Sequence, residues 1–409
     1  MSRHQPKVLF FSTAVTNQSG SSYALRETVR RVEASGVKSL LVVPNSLGSR
    51  QMFPKNEFNV IYLEMRRPRR TYNLLALGRY FLFFPITLFA LVRIIRQENC
   101  DLVHFNEITD FIAGLAAKFC GVSCVCHVRH DGIPQPHRWL LLLMLKGTVQ
   151  AIVVPSRSTA AWIASERSDL ANRIKLIYDY AFDVNEYSPS ISGKDFRAEL
   201  GIDEDVVLVV LVSKLVTIKG HHCFIRAAAK ALSTSKGKMC FVVVGGEVPG
   251  HETEAREIES LASTLIAGDG LRFVGSRSDL PVVYAACDIA VHCPIYPDPY
   301  PTVVLLPMLV GKPVIGSNIG GIPEQIEHGE NGVLVPPNDS NALASAIIDL
   351  SDDTMRRQKL GIAAMRKILK ELAPHTQGQL LANLYASVLS GEHDNRQAIF
   401  EPGGEGSTT

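Results

Sequence analysis

No apolar stretch of this 409-residue chain is long enough to cross a bilayer. The best, Tyr80 to Val92, runs thirteen residues without a formal charge. As a helix it would reach roughly 20 Å, short of a hydrocarbon core of about 30 Å, and Pro85 interrupts it. No leader is expected either: Met1 to Pro6 is polar, and the first apolar run, Val8-Leu9-Phe10-Phe11, has the length of a strand. The chain has little net charge, +2, which gives no reason to expect nucleic acid as a partner. Cysteines are few, eight, and irregularly spaced in apolar runs, so they read as buried thiols of a cytosolic protein, not as a disulfide framework. Cys124-x-Cys126-His127 lacks a second Cys/His pair, and alternate residues of a strand point to opposite faces, which argues against a metal site. No short-period repeat is visible.

What is present is alternation. Lys7–Phe11, Ser39–Val43, Asp101–Phe105, Val122–Val128, Ala151–Val154 and Lys175–Tyr178 read as strands, with Ser12–Ser22 as a polar loop and helical spacing at Leu25, Val29 and Val32. The pattern restarts at Val206–Val212, made only of Val and Leu, and continues through Met239–Val244, Leu271–Val274, Ile289–Val291, Pro313–Ile315 and Val333–Val335. Continuous apolar strands between helices mean parallel sheets covered on both faces. A chain this long exceeds one core, and Asp183–Lys194 has linker composition. The expected architecture is α/β: two Rossmann-like, doubly wound domains facing across a cleft. The divisions are 1–185, 186–372, a helix at 373–391 crossing back to the first domain, and a disordered tail at 392–409.

Four segments carry more than fold. Val212-Ser213-Lys214-Leu215-Val216-Thr217-Ile218-Lys219-Gly220 follows a buried strand. Pro297-Asp298-Pro299-Tyr300-Pro301-Thr302 leads through Leu306 to Gly311-Lys312-Pro313-Val314. Ser317 to Glu324 holds Gly320-Gly321 before Ile-Pro-Glu, and Cys126 to Gly132 ends a strand of the first half. Together they resemble the family-four retaining glycosyltransferases, which have the GT-B fold, and the resemblance runs over nearly the whole chain. It implies that Lys214 and Lys219 neutralise the leaving diphosphate of a nucleotide-sugar donor. Fixed cations at the carboxyl end of a parallel strand suit that task, because charge grows there as the glycosidic bond breaks. Lys214 stands where the family has Arg, so charge is kept and the bidentate fork is lost.

By the same resemblance Asp298 takes the first position of the family's Glu-x7-Glu signature and touches donor sugar hydroxyls. Leu306 takes the second, where a carboxylate would hold the ribose; the loss of such a bond costs about 1.5–3 kcal/mol. Gly20, Ser21, Ser276, Arg277, Tyr300, Thr302, Val303, Gly320 and Gly321 are the remaining donor-side residues, with Pro301 opening a helix whose first N–H groups can cradle oxygens. His127 is expected at the reaction centre. Asn106, Glu107, Arg129 and His130 are expected at the acceptor. No cofactor and no metal are expected, the lysines doing the work of a divalent ion.

Arg66, Arg67, Arg69, Arg70 and Arg79 precede the apolar run, and Arg93 and Arg96 follow it, with no acid between 66 and 96. That composition suits an interfacial helix on anionic lipid, so an inner-leaflet peripheral protein is expected. The function expected is retaining transfer of a sugar from a nucleoside-diphosphate sugar to a glycan or lipid-linked acceptor, in the synthesis of a surface polysaccharide or glycolipid. A catalytically weakened scaffold or regulator of polysaccharide assembly, motivated by Leu306, is the rival. Another GT-B enzyme, an epimerase or phosphorylase, is a third possibility.

Overall fold

Runs of Val, Leu, Ile and Phe without polar interruption can be buried on both sides only as central parallel strands. The described residues form thirteen strands in two parallel sets, with the uninterrupted apolar runs Val207–Val212 and Met239–Val244 inside the second sheet and shorter, less buried strands at the edges. The structure, a computed structural model, describes residues 5–16, 20–65, 74–129, 137–235, 237–371 and 376–391; the side chains of 74–82 and 376 are not described.

The first unit holds β1 (Lys7–Phe11), β2 (Lys38–Pro44), β3 (Val60–Leu63), β4 (Leu102–Phe105), β5 (Ser123–His127), β6 (Ala151–Val154) and β7 (Ile174–Leu176). Its order is β3-β2-β1-β4-β5-β6-β7, every pairing parallel. The helices are α1 (Gly20–Ala34), α2 (Leu47–Met52), α3 (Leu74–Gln97), α4 (Ile112–Cys120), α5 (His137–Thr148) and α6 (Arg157–Glu166). Leu91 and Ile95 of α3, Ala113 and Ala116 of α4, Leu142 and Leu145 of α5 and Ile163 of α6 pack on one face of the sheet.

The second unit holds β8 (Val207–Val212), β9 (Met239–Val244), β10 (Leu271–Phe273), β11 (Ile289–His292), β12 (Val314–Ser317) and β13 (Val333–Val335). They form a parallel sheet in the order β10-β9-β8-β11-β12-β13. Its helices are α7 (Lys194–Glu199), α8 (His221–Thr234), α9 (Glu252–Leu265), α10 (Leu280–Ala286), α11 (Thr302–Leu309), α12 (Ile322–Gln325), α13 (Ser340–Asp352) and α14 (Thr354–Glu371). Helices α8, α9 and α13 share one core with the sheet. The last helix, α15 (Thr376–Ser390), belongs to the first unit, where Leu381, Leu384 and Tyr385 join Leu25 and Val29 of α1 on the other face of the sheet. Contacts divide the chain into 1–182 with 374–409, and 183–373.

Three local readings change. Gly20, Ser21 and Ser22 are the first turn of α1, not loop: Ser22 Oγ accepts from Thr16 N–H at 3.1 Å, which closes the turn from the side chain. Strand β3 was not legible, because it has four residues and only Val60 is buried. Pro85 sits inside α3, which continues past it to Gln97. Among the described residues no helix is long and apolar enough to cross a membrane. The Cys124 and Cys126 thiols are buried, and burial pushes both up, away from thiolate. The tail from 392 and Arg66, Arg67, Arg69 and Arg70 lie outside the described residues.

Candidate active site

In the second unit the strand order reverses between β8 and β11, the point where open α/β sheets leave a crevice beyond their strand ends. Both strands stop there for local reasons. After β8 the chain makes a tight turn at Thr217–Lys219 and then adopts the left-handed conformation at Gly220, φ 80°. A Cβ at Gly220 would sit 1.8 Å from the Cys293 carbonyl oxygen, so only glycine lets the two loops touch. That contact brings Lys219 toward the loop after β11. The loop after β12 closes on the same place. Gly321 N–H donates to Asp298 O at 2.8 Å, and Gly320, φ 62°, lies so close that a Cβ would be 2.4 Å from that oxygen.

The side chains brought together are charged. Lys219 Nζ donates to Asp298 Oδ2 at 2.5 Å, and His292 Nε2 lies 3.3 Å from the same oxygen. Burial works to raise the Asp298 carboxyl, but the Lys219 ammonium and His292 outweigh it and hold it well below the usual carboxylate range. Lys214 is exposed one turn before Lys219; partial loss of hydration and then the Lys219 charge lower its ammonium. Burial also lowers His292, against the pull of Asp298. His221, opening α8, is pushed down to about 4 by burial, with Nδ1 3.3 Å from Val216 O.

Thr302 and Val303 form the first turn of α11, whose N–H groups have no intrahelical acceptor. Tyr300 is buried just before it, and Leu306 is buried in the helix. A buried leucine offers no acceptor to a ribose. Ser276 is exposed beside Gly246. Arg277 takes a different part from the one expected. Its fork is held by Asp279 at 2.8 and 2.7 Å and by Glu199 at 2.6 and 3.0 Å, and it lies over the Phe196 ring. With its donors committed, it ties the β10–α10 loop to α7 and has no fork left for a base.

The first unit tells a similar story. Arg129 was expected to meet an acceptor. Instead its side chain is 4% exposed and donates to Asp179, Asn106 and Thr28. Asp179 also accepts from Gln377 of α15 at 3.0 Å. Arg129 is thus the centre of a buried network, because an enclosed guanidinium must have all its donors met. Asn106 shares it, donating in turn to Ser21 O at 3.3 Å. Gly20 and Ser21 open α1, and Glu107 is buried just ahead of the turn Ile108–Asp110. His127 ends β5 fully buried, with Nε2 3.9 Å from Asp179 Oδ2 and its ring 5.6 Å from that of His104. Burial, then the Arg129 charge, hold it neutral. His104 Nδ1 in turn meets Tyr385 Oη at 2.7 Å. His130 lies outside the described residues.

Sequence reasoning missed His292 and Asp179. A polar residue closing the strand Ile289-Ala290-Val291-His292 was the available signal for the first. Asp179 had none, since its partners come from β5's end and from α15, far away in the chain.

Two family descriptions match this chain: Glycosyl transferases group 1 over residues 193–367, and Glycosyltransferase Family 4 over residues 19–179. The D-inositol 3-phosphate glycosyltransferase of Corynebacterium aurimucosum is 29% identical over 214 residues, 51% of this chain and 50% of that protein. The chain spans about half the length of the curated relatives it matches. Among solved structures, HepE of Anabaena, in complex with UDP and glucose, is similar with a TM-score of 0.80 at 22% identity, covering 94% of this chain and all of that one. Sucrose-phosphate synthase of Thermosynechococcus elongatus is similar with a TM-score of 0.76 at 20% identity, covering 95% and 100%. The fold is GT-B, and the chain belongs to the group 1, family-four glycosyltransferases.

Proposed function

We propose that this chain transfers a sugar from a nucleoside-diphosphate sugar to a glycan or lipid-linked acceptor, with retention at the anomeric carbon. The observation that supports the reading is the pairing of Lys219 with Asp298 just ahead of α11 at the switch point between β8 and β11, with Lys214 near enough to feel the Lys219 charge. The diphosphate would lie against the two ammonium groups and the first-turn N–H groups of α11. When the bond between the anomeric carbon and the diphosphate oxygen breaks, its electron pair goes to that oxygen. The ammonium groups stabilise the charge there more than in the ground state. The acceptor hydroxyl forms the new bond, and its proton passes to the leaving phosphate, so no protein nucleophile is required. Asp298 orients the sugar. The UDP and glucose bound to HepE support a nucleotide-sugar donor.

The test is calorimetry with UDP, GDP and UDP-glucose, followed by a donor screen with mixed membrane lipid as acceptor. Binding to a nucleoside diphosphate is expected, and the Lys214→Met/Lys219→Met double variant should lose it. Unchanged affinity and turnover in that variant would sink the reading. Leu306 motivates the second reading, a non-catalytic scaffold of polysaccharide assembly: a wild-type protein that binds no nucleoside diphosphate would favour it.

A lipid-linked acceptor is also supported by charge. Helices α3, α4 and α5 lie side by side over one face of the first sheet, and none contains an Asp or Glu. Their outer side exposes Ile86, Phe89, Phe119, Trp139 and Leu140, together with Arg93, Arg96 and Lys118. Apolar side chains among cations suit attachment to an anionic lipid surface.

A further inference from the structure

His292 closes β11 with a side chain only 1% exposed. Its Nε2 faces Asp298 Oδ2, the oxygen that also accepts from Lys219. Its Nδ1 is buried and has no hydrogen-bond partner among the described residues. A neutral imidazole carries one N–H. On Nε2 that hydrogen meets the carboxylate; on Nδ1 it would meet nothing, and two lone pairs would oppose each other. Asp298 Oδ1 makes no hydrogen bond among the described residues, and the carboxylate is 15% exposed. One oxygen is therefore gripped from two sides while the other is left to a ligand.

Lys219 has one charge and two anions to serve. In this structure it neutralises Asp298. An arriving diphosphate would draw the ammonium to itself, and an enclosed carboxylate stripped of its partner is costly. His292 is the group that stays. The charged and titratable groups facing it are Asp298 on its own loop, Lys219 from the turn after β8 and His221 from the start of α8. Departure of the ammonium and arrival of an anion both favour a proton on the ring.

We propose that His292 is a positioning residue: it holds the Asp298 carboxylate when the donor diphosphate takes Lys219, and it gains a proton in doing so. The inference rests on the donor reading above and names a residue that reading does not use. Burial keeps His292 neutral before the ligand arrives, which leaves the ring free to accept the proton.

The test uses the full chain and UDP-glucose or GDP-mannose, whose diphosphates do not titrate near neutrality. Calorimetry at pH 7 in two buffers of different ionisation enthalpy reads the protons taken up on binding. The wild type should take up protons. His292→Gln, whose amide can replace Nε2–H, should keep affinity within about threefold yet lose the uptake. His292→Leu should weaken binding about tenfold or more. Equal affinity in His292→Leu, or uptake that persists in His292→Gln, overturns the proposal. Nitrogen-15 NMR of the ligand-free ring separates the two readings. The wild type should show a proton on Nε2, and Asp298→Asn should shift that signal. If neither sugar nucleotide binds, the donor reading and the hand-over of Lys219 fall together, whatever the ring shows. If binding occurs but Asp298→Asn leaves the ring signal unchanged, the His292 assignment alone falls.

Discussion

At the scale of the residue, the site is a set of histidines kept neutral by burial beside charges that are kept ionised by pairing. His221 shows what this means for stability. Unfolded, it titrates near 6.5; folded, near 4. Its folded value is lowered, so the unfolded chain binds the extra proton as pH falls from about 6.5 toward 4, and folding loses free energy across that window. The loss from this one group is about 2 kcal/mol between pH 7 and pH 5. Urea unfolding at the two pH values should show it, and in His221→Gln the difference should shrink by about that amount. A variant with the same pH dependence as the wild type would assign the effect to another group. Asp298 works in the opposite sense. Its folded carboxyl is depressed, so its contribution is present above the unfolded value and vanishes only as strong acid protonates the folded form.

At the scale of the element, buried pairs fasten helices to strand ends. Arg129, just past β5, is tied to Asp179, and Asp179 is tied to Gln377 at the start of α15. Arg31 of α1 extends the same network, donating to Gln377 Oε1 and, at 2.7 and 3.0 Å, to the carbonyls of Tyr180 and Phe182. Removing one charge of such a pair strands the other. Arg129→Ala should cost about 3–5 kcal/mol in chemical unfolding, whereas Arg129→Met combined with Asp179→Leu should cost clearly less. A loss below about 1 kcal/mol for the single variant would mean that the pair is solvated. Gly220→Ala is a test of another kind, because the added methyl has no room against Cys293 O. It should abolish nucleotide binding, with a smaller fractional effect on thermal stability, since the clash falls on the loop that carries Lys219.

At the scale of the whole molecule, the proposal of a lipid surface rests on the acid-free outer layer of α3, α4 and α5. Flotation with vesicles should show binding to anionic and not to zwitterionic lipid, weakened by high salt. Trp139→Ala with Leu140→Ala should reduce binding several-fold, because both side chains are half exposed and α5 contributes them to that surface. Binding indifferent to lipid charge and to salt would remove the lipid surface from the account.

What the sequence by itself determined is the set of strands and the reason they are parallel. Val206–Val212 cannot be exposed on either face, and Gly220, Gly320 and Gly321 mark turns that follow strand ends. The position of the lysines at 214 and 219, past the end of β8 and ahead of α8, was legible for the same reason, because a strand end followed by a helix in a parallel sheet has one place to be. Tertiary structure decided which charges are free and which are spent. Arg129 and Arg277 look alike to Lys214 in the sequence, yet both are consumed by carboxylates that arrive from distant segments: Asp179 for the first, Glu199 and the nearer Asp279 for the second. His292 became part of the site only when Gly220 let the loop carrying Lys219 close on the one carrying Asp298. Hydrophobic periodicity is local and survives in one dimension, whereas the partner of a buried charge is chosen by where the chain returns.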